Sequence, residues 1–312
     1  MNYSRIESSV DMSIIRNSHI VIVGAGGSYS LITSFARTGI GKLTVLDFDV
    51  VEETNIVRQG YKQLDIGTFK VDALRVEVQS INSEVQYTGI TKNFLEMNDE
   101  ELDSIFSKAD LLLFLTDSFQ AQSFGNILAL RYNKPAIWSG WYEGSRTAEL
   151  FFQIPDYTTA CFRCACSSRY VANEKEEIKA SSNSNTIFHS MLLDSFIGTL
   201  SLSILHRVII MGPLLLNSKE KSKFNEAELL FDAMKIHGRK IPYNFFQFKA
   251  HPLGGNQLFD NAYEHLKGKT QNFISFWQKA DAELKINGYD YDCPDCNGVL
   301  HHKLHFYNDN KK

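Results

Sequence analysis

The chain has 312 residues, 44% of them hydrophobic and 22% charged, with a formal net charge of −4. That is the composition of an ordinary globular protein, and it excludes a disordered, collagen-like or disulfide-stapled miniature chain. The length suffices for one large α/β domain or two small ones, and the mild acidity excludes a generic polyanion-binding surface, so general nucleic-acid binding is not expected.

In chain order, Met1 to Asn17 mixes Arg5, Glu7, Asp11 and Arg16 among its apolar residues. A secretory signal needs a basic start and an unbroken apolar stretch, so a cytoplasmic protein is expected. His19 to Gly24 is a β-branched strand, Gly24-Ala25-Gly26-Gly27 a turn, Ser30 to Thr38 a helix and Lys42 to Asp47 the next strand. That order makes a parallel βαβ unit with a right-handed crossover. Further units are predicted from the amphipathic stretch Lys70 to Ile81, the strand Val85 to Ile90 and the acidic helix Asn98 to Lys108. The buried strand Leu111 to Leu115, the helix Ala121 to Tyr132 and the strand Pro135 to Ser139 continue the alternation. The predicted fold class is α/β, a doubly wound, mostly parallel Rossmann-like sheet whose ligand crevice lies at the carboxyl ends of its strands.

Beyond Tyr142 an alternating aromatic run, Glu149 to Ile154, leads to a first cysteine pair, and Ser167 to Ser190 is polar without a period, which predicts a loop. Met191 to Leu216 is the most apolar segment, but Asp194, His206 and Arg207 interrupt it and Pro213 breaks its end. A buried core helix is expected there, with no membrane association. Ile241 to Lys249 reads as a strand and Gln257 to Leu284 as a helix. The aromatics Phe245, Phe246 and Phe273 to Trp277 suit either a protein-docking surface or a core.

Four of the five cysteines form C-x-x-C pairs, Cys161/Cys164 and Cys293/Cys296, leaving Cys166 over. In a reducing compartment such pairs favour metal over disulfides, and four thiolates make the tetrahedron of a closed structural zinc site. Such a zinc would staple a C-terminal strand and helix extension to the core. A pair of redox dithiols lacks a thioredoxin-like context here, and His301, His302 and His305 in the polar tail are read as tail residues rather than ligands.

Glycines at 24, 26 and 27 between a buried strand and a helix let a phosphate approach the backbone, and the helix N-terminus offers free N–H groups. The common dinucleotide fingerprint has a small residue where this chain has Tyr29. Asp47, at the end of the second strand, is placed to accept hydrogen bonds from a ribose.

The segment that follows is more specific. D-x-D-x-V-x-x-x-N-x-x-R-Q over Asp47 to Gln59, then Gly67-Thr68-Phe69-Lys70 and Leu115-Thr116-Asp117, with Tyr3-Ser4-Arg5 ahead and Cys161-Phe162-Arg163-Cys164 paired with Cys293-Pro294-Asp295-Cys296, resembles the ThiF/MoeB/HesA family of adenylating enzymes. The resemblance covers residues 1–216 and the final cysteines. It implies ATP-dependent adenylation of the C-terminal carboxylate of a small ubiquitin-like or sulfur-carrier protein ending in glycine. By this resemblance Gly24, Gly26, Gly27, Asp47, Asp49, Gln59 and Lys70 bind the nucleotide, Arg58 and Lys70 contact phosphates and Asn55 orients them. Asp117 helps hold Mg2+, and Arg5 reaches across a homodimer to the partner's ATP. Zn2+ is structural. Residues 1–216 are then the ATP-binding adenylation domain, with a crossover loop at about 167–190, and 217–312 an extension that serves carrier binding and the zinc site.

Relatives that pass the acyl group to a thioester carry a cysteine in the loop before the long apolar helix, and this chain has none between Cys166 and Cys293. Three outcomes follow: the reaction stops at the adenylate, Cys166 serves, or a hydroxyl of Ser181, Ser182, Ser184 or Thr186 takes the group as an ester. A serine or threonine needs an activating base; His189 is the nearest in sequence, and it reads first as an ordinary loop histidine. A conjugating enzyme is a further partner that transfer would bring. The competing functions are adenylation of another carboxylate, such as a peptide or a tRNA base substituent, a nucleotide-binding scaffold without catalysis, and a plain dehydrogenase. Tyr29 and Asp117-Ser118, where the family has Asp-Asn, keep the scaffold open, intact Arg58, Lys70 and Asp117 argue against it, and the Asn55–Arg58 segment has no use in a dehydrogenase.

Overall fold

The computed structural model describes residues 1–141, 147–155, 157–158, 160–175, 185–211, 244–249, 274–278 and 293–296. Its elements are α1 (Met12–Asn17), β1 (His19–Val23), α2 (Tyr29–Thr38), β2 (Lys42–Leu46), α3 (Glu53–Ile56), α4 (Lys70–Ile81), β3 (Gln86–Ile90), α5 (Asp99–Phe106) and β4 (Leu111–Phe114). They continue with α6 (Phe119–Arg131), β5 (Ala136–Trp141), β6 (Thr147–Gln153), α7 (Phe162–Ala165), α8 (Ser167–Lys175), α9 (Ile187–Met211), β7 (Phe245–Lys249) and β8 (Ile274–Gln278). The chain forms two compact units, one of residues 1–115, 134–136 and 186–233, the other of residues 116–133, 137–185 and 234–312.

The first unit is built on four parallel strands in the order β3-β2-β1-β4. Ile20 of β1 stands opposite Leu43 of β2 and Leu111 of β4. Strands covered on both faces must be apolar throughout, and β1 and β4 are buried at every position. The order places a switch point between β1 and β4, the place where such sheets open a ligand crevice. Helices α2 and α4 pack together, and α9 lies against α1 and α2. Helix α2 stops at Gly39, which adopts φ 84°. A side chain there would meet the Tyr3 phenol at 2.7 Å. Helix α5 starts on a reciprocal capping box of Asn98 and Glu101.

The second unit carries strands β5-β6-β7-β8 in that order, with β6, β7 and β8 antiparallel. Its core is aromatic: Trp138 stacks on Phe162 at 5.1 Å and lies 5.5 Å from Phe151, and Trp138 Nε1 donates to the Gln122 carbonyl at 3.0 Å. Phe245 and Phe246 are buried, so this pair belongs to the core and not to a docking surface.

The α/β class and the parallel Rossmann-like sheet are as the sequence indicates, but three segments differ. Ser167–Lys175 and Ile187–Ser190, within the predicted loop, are the helix α8 and the first turn of α9, and Ile274–Gln278, within the predicted helix, is the strand β8. Helix α8 is weakly amphipathic and owes its form to tertiary contacts. The ring of Tyr170 meets Phe119 edge-on at 4.9 Å, Arg163 lies 4.6 Å over its face, and Arg169 pairs with Glu149. In β8 the run Ile-Ser-Phe-Trp is β-branched and aromatic, and pairing with β7 decides its form over any helical period.

Candidate active site

The glycine turn is held by its neighbours before any ligand arrives. Gly24 takes φ 98°, and its N–H bonds the Leu46 carbonyl at 2.9 Å. Ser28 donates to the Gly24 carbonyl at 2.6 Å and so makes no side-chain cap for α2. Its capping role passes to Asp194 of α9, whose Oδ2 accepts the Leu31 N–H, on the third residue of α2, at 3.0 Å. Burial pushes the Asp194 carboxyl well above the ordinary carboxylate range. A Cβ on Gly26 would stand 3.1 Å from Gln59 Nε2, and one on Gly27 would stand 3.6 Å from Ser190 Oγ. Gln59 and the start of α9 therefore wall the turn.

The departure at Tyr29 is structural. Its ring fills the space beside Gly60, where a Cβ would come within 2.0 Å of it, and it meets the ring of Tyr61 edge-on at 4.8 Å. The Tyr61 hydroxyl in turn donates to the Ala25 carbonyl at 2.7 Å. A bulky residue at the start of α2 thus clamps the Gln59-Gly60-Tyr61 turn against the glycine turn. Gly60, Tyr61, Ser190 and Asp194 have no signature in the linear sequence beyond their residue types, since the contacts that give them a role join segments far apart.

Asp47 accepts the Ala25 N–H on Oδ2 at 2.7 Å and the Asp49 N–H on Oδ1 at 2.9 Å. Burial raises its carboxyl above the ordinary value, and the charge of Lys70 pulls the other way. Lys70 is 6% exposed, and its Nζ lies 2.7 Å from Asp49 Oδ2. The backbone brings this pair together: Gly67 (φ 82°) donates to Val51, Val51 to Thr68 and Lys70 to Asp49, zipping 49–51 against 67–70. Asn55 is buried and accepts the Glu52 N–H at 3.0 Å, while its own carbonyl receives the N–H groups of Arg58 and Gln59. In this way Asn55 shapes the turn that presents Arg58 and Gln59. The Gln59 Oε1 atom is buried without a hydrogen-bond partner beside the turn.

Residues 2–244 match the ThiF family. This chain belongs to the ThiF family. It is 28% identical over 145 residues to the probable adenylyltransferase/sulfurtransferase MoeZ of Mycobacterium tuberculosis, an alignment of 46% of this chain and 36% of MoeZ. It is 32% identical over 178 residues to ubiquitin-like modifier-activating enzyme 5 of Dictyostelium discoideum, 52% of this chain and 46% of that protein. The chain thus spans less than half the length of these relatives. The E. coli MccB structure with AMPCPP and MccA superposes with a TM-score of 0.51 at 22% identity, over 63% of this chain and 58% of MccB. PaaA superposes with a TM-score of 0.51 at 18% identity, over 62% of this chain and 66% of PaaA. At such identities the likeness is one of fold.

The remaining ThiF-motif residues are spread over both units. Arg5 is exposed on the turns that follow Tyr3, whose hydroxyl accepts from Asn82 Nδ2 at 3.0 Å. Asp117 is exposed three residues past β4 and belongs to the second unit, where Ser118 accepts the Ala121 N–H at 3.3 Å and so caps α6. Thr186 immediately precedes α9. Ser181, Ser182 and Ser184, with His301, His302 and His305, lie outside the described residues.

In the second unit Cys161, Cys164, Cys293 and Cys296 are buried with their sulfurs all within 4.8 Å of one another. The separations 161–164, 161–293 and 164–296 are 3.6, 3.7 and 3.8 Å. Four sulfurs about 2.3 Å from a tetrahedral zinc stand roughly 3.8 Å apart, so the donor set fits that ion. Burial among its neighbours drives the Cys161 thiol well up, and a dication is what would let such a cluster hold thiolates. Asn126, fully buried on α6, braces the group. It accepts the Phe162 N–H at 2.9 Å, donates to Asp295 at 2.7 Å and points Nδ2 at the Cys161 sulfur at 3.7 Å.

Proposed function

We propose that this chain is an ATP-dependent adenylyltransferase that activates the C-terminal carboxylate of a small ubiquitin-like or sulfur-carrier protein ending in glycine. The observation that carries the reading is the convergence, at the carboxyl ends of β1 and β2, of the glycine turn, the buried Lys70 paired with the exposed Asp49 carboxylate, and the Arg58-Gln59 turn with its unpartnered acceptor. MoeZ and the modifier-activating enzymes, by their names, act in this class.

The carboxylate attacks the α-phosphorus of ATP in line. A mixed anhydride with AMP forms, the bond to the β-phosphate oxygen breaks, and pyrophosphate leaves with the electron pair. Charge grows on the phosphates, so cations must be in place beforehand. Lys70 has three donors, enough to keep Asp49 and engage a phosphate oxygen, and Arg58 brings a second cation. Asp117 would serve as a ligand for Mg2+, whose charge would offset that on the phosphates, and Asp47 orients the ribose. Cys161, Cys164, Cys293 and Cys296 would hold Zn2+ as a structural ion without chemistry, because four thiolates leave no open position. Arg5 reaches the partner's nucleotide in a homodimer, and the 217–312 extension receives the carrier. Cys166 is 3% exposed and two residues from Cys164, which leaves hydroxyls before α9 as the acceptors for any onward transfer. A reducing cytoplasm suits a chain that keeps its thiols for metal.

The test is carrier-dependent exchange of labelled pyrophosphate into ATP. Arg58→Ala, Lys70→Ala and Asp117→Ala proteins are expected to lose exchange by at least about 100-fold while staying folded. Undiminished exchange by folded Lys70→Ala protein removes the assignment, and exchange driven by a free peptide but by no carrier protein moves the substrate to another carboxylate.

A further inference from the structure

We infer that Thr186 and His189 form a nucleophile–base pair that accepts the activated acyl group as an oxyester. The inference rests on the adenylation reading, since it needs an acyl adenylate as its substrate. Thr186 is exposed, and its Oγ1 lies 2.8 Å from His189 Nδ1. The protonation of the ring follows from its surroundings. The Thr186 backbone N–H, which can only donate, also points at Nδ1 at 3.1 Å. Nδ1 is therefore the unprotonated nitrogen, and its single lone pair is shared by the Thr186 N–H and the nearer Thr186 hydroxyl. A hydroxyl aimed at a neutral imidazole nitrogen is the arrangement an oxygen nucleophile needs.

Position supports the chemistry. The Ser190 N–H reaches back to the Thr186 carbonyl at 3.4 Å, and the Ser190 hydroxyl donates to the Arg58 carbonyl at 3.2 Å. Ser190 also walls Gly27. Thr186 thus stands one turn of helix, about 5 Å of rise, from a residue that touches both the glycine turn and the Arg58 turn. Gln59, 7% exposed, lies against Gly26 on the other side of the same turn. In the transfer step the Thr186 oxygen attacks the acyl carbonyl, and an ester bond forms. The acyl–phosphate bond breaks, AMP leaves with the electron pair, and the hydroxyl proton passes to His189 Nδ1.

Thr186 and His189 also occupy the positions of a helix-capping box, and the test must separate the two roles. Asparagine at the first position and glutamine at the second keep capping and remove nucleophile and base. The full chain is treated with synthetic N-acetylglycyl adenylate, which bypasses the adenylation step, and adducts are mapped by intact mass and peptide mass spectrometry. The expected result is one acetylglycyl ester on Thr186, resistant to thiol and cleaved by alkali. Thr186→Ser is expected to retain it, Thr186→Asn to abolish it, and His189→Gln to slow it about 100-fold, with unchanged melting temperatures for the last two. No adduct, an adduct on another residue, or an unchanged rate in His189→Gln overturns the inference. A chain that acylates Thr186 from the synthetic adenylate yet shows no pyrophosphate exchange with any carboxylate refutes the adenylation reading instead, so the two failures are distinct.

Discussion

His206 and His19 show how single buried side chains fix their own protonation. His206 Nε2 accepts the Asp11 N–H at 2.8 Å and its Nδ1–H faces the Leu202 carbonyl at 2.7 Å. His19 is held between the Lys108 carbonyl at 3.1 Å and the Thr44 hydroxyl at 2.9 Å. Burial pushes both imidazoles below their ordinary value. The unfolded chain therefore binds more protons than the native one once pH falls below the usual histidine value of about 6.5. Stability is complete above that value and declines as pH falls through it toward the depressed native values. Thermal melts at pH 7.5 and 5.5 should show a lower midpoint in acid, and His206→Gln should flatten the difference. An equal pH response in the variant would show that His206 does not contribute. The same residue ties the start of α1 to α9.

At the scale of elements, α2 and α9 share one device. Helix α2 begins at the glycine turn, where its own Ser28 is turned away, and Asp194 of α9 supplies the acceptor for the Leu31 N–H across 163 residues of sequence. Leaving a buried N–H unpaired costs about 1–3 kcal/mol. Asp194→Leu should lower the unfolding free energy of the first unit by that amount, whereas Asp194→Asn keeps an acceptor and should lose less. Urea unfolding at constant m value checks both, and equal losses would deny the hydrogen bond its role. Helix α9 is long and apolar enough to cross a membrane by composition. Its buried Leu193, Ile197, Leu200 and Ile204, its contacts with α1 and α2, and the polar bonds of Asp194 and His206 give that face a place in the core.

For the whole molecule, the cysteine cluster and the glycine turn belong to different compact units. About one zinc per chain is expected by metal analysis, lost when any of Cys161, Cys164, Cys293 or Cys296 becomes serine. Asn126→Ala removes the brace on Cys161 and Asp295 and should weaken zinc retention against a chelator about 10- to 100-fold. Chelation should expose the C-terminal segment to protease while ATP still binds, because the metal contributes folding energy to its own unit. Metal-free protein with an unchanged protease pattern would contradict this. The proposed homodimer has its own test. Arg5→Ala and Lys70→Ala chains, each inactive, should regain part of the exchange activity on mixing, since one site of a mixed dimer holds both residues. No recovery in a sample shown to have exchanged subunits would place Arg5 in its own chain's site.

The sequence by itself determined the parallel βαβ frame, the glycine turn, the acidic end of β2 and the cysteine pairs, because each is written in neighbouring residues. A continuous apolar run gives a buried strand, Gly24 and Gly67 adopt positive φ, and a C-x-x-C spacing turns two sulfurs to one point. Helix Lys70–Ile81 was legible to the residue for the same reason. The tertiary structure alone decided the rest. Tyr29 is a clamp because Gly60 and Tyr61 meet it, Ser167–Lys175 is helical because Tyr170 finds Phe119 and Arg163, and Ile274–Gln278 is a strand because β7 pairs with it. Asp194 caps a helix that begins 165 positions earlier, at Tyr29. These contacts join segments that only the folded chain brings within hydrogen-bond and van der Waals range, and forces of that reach leave no trace in local periodicity.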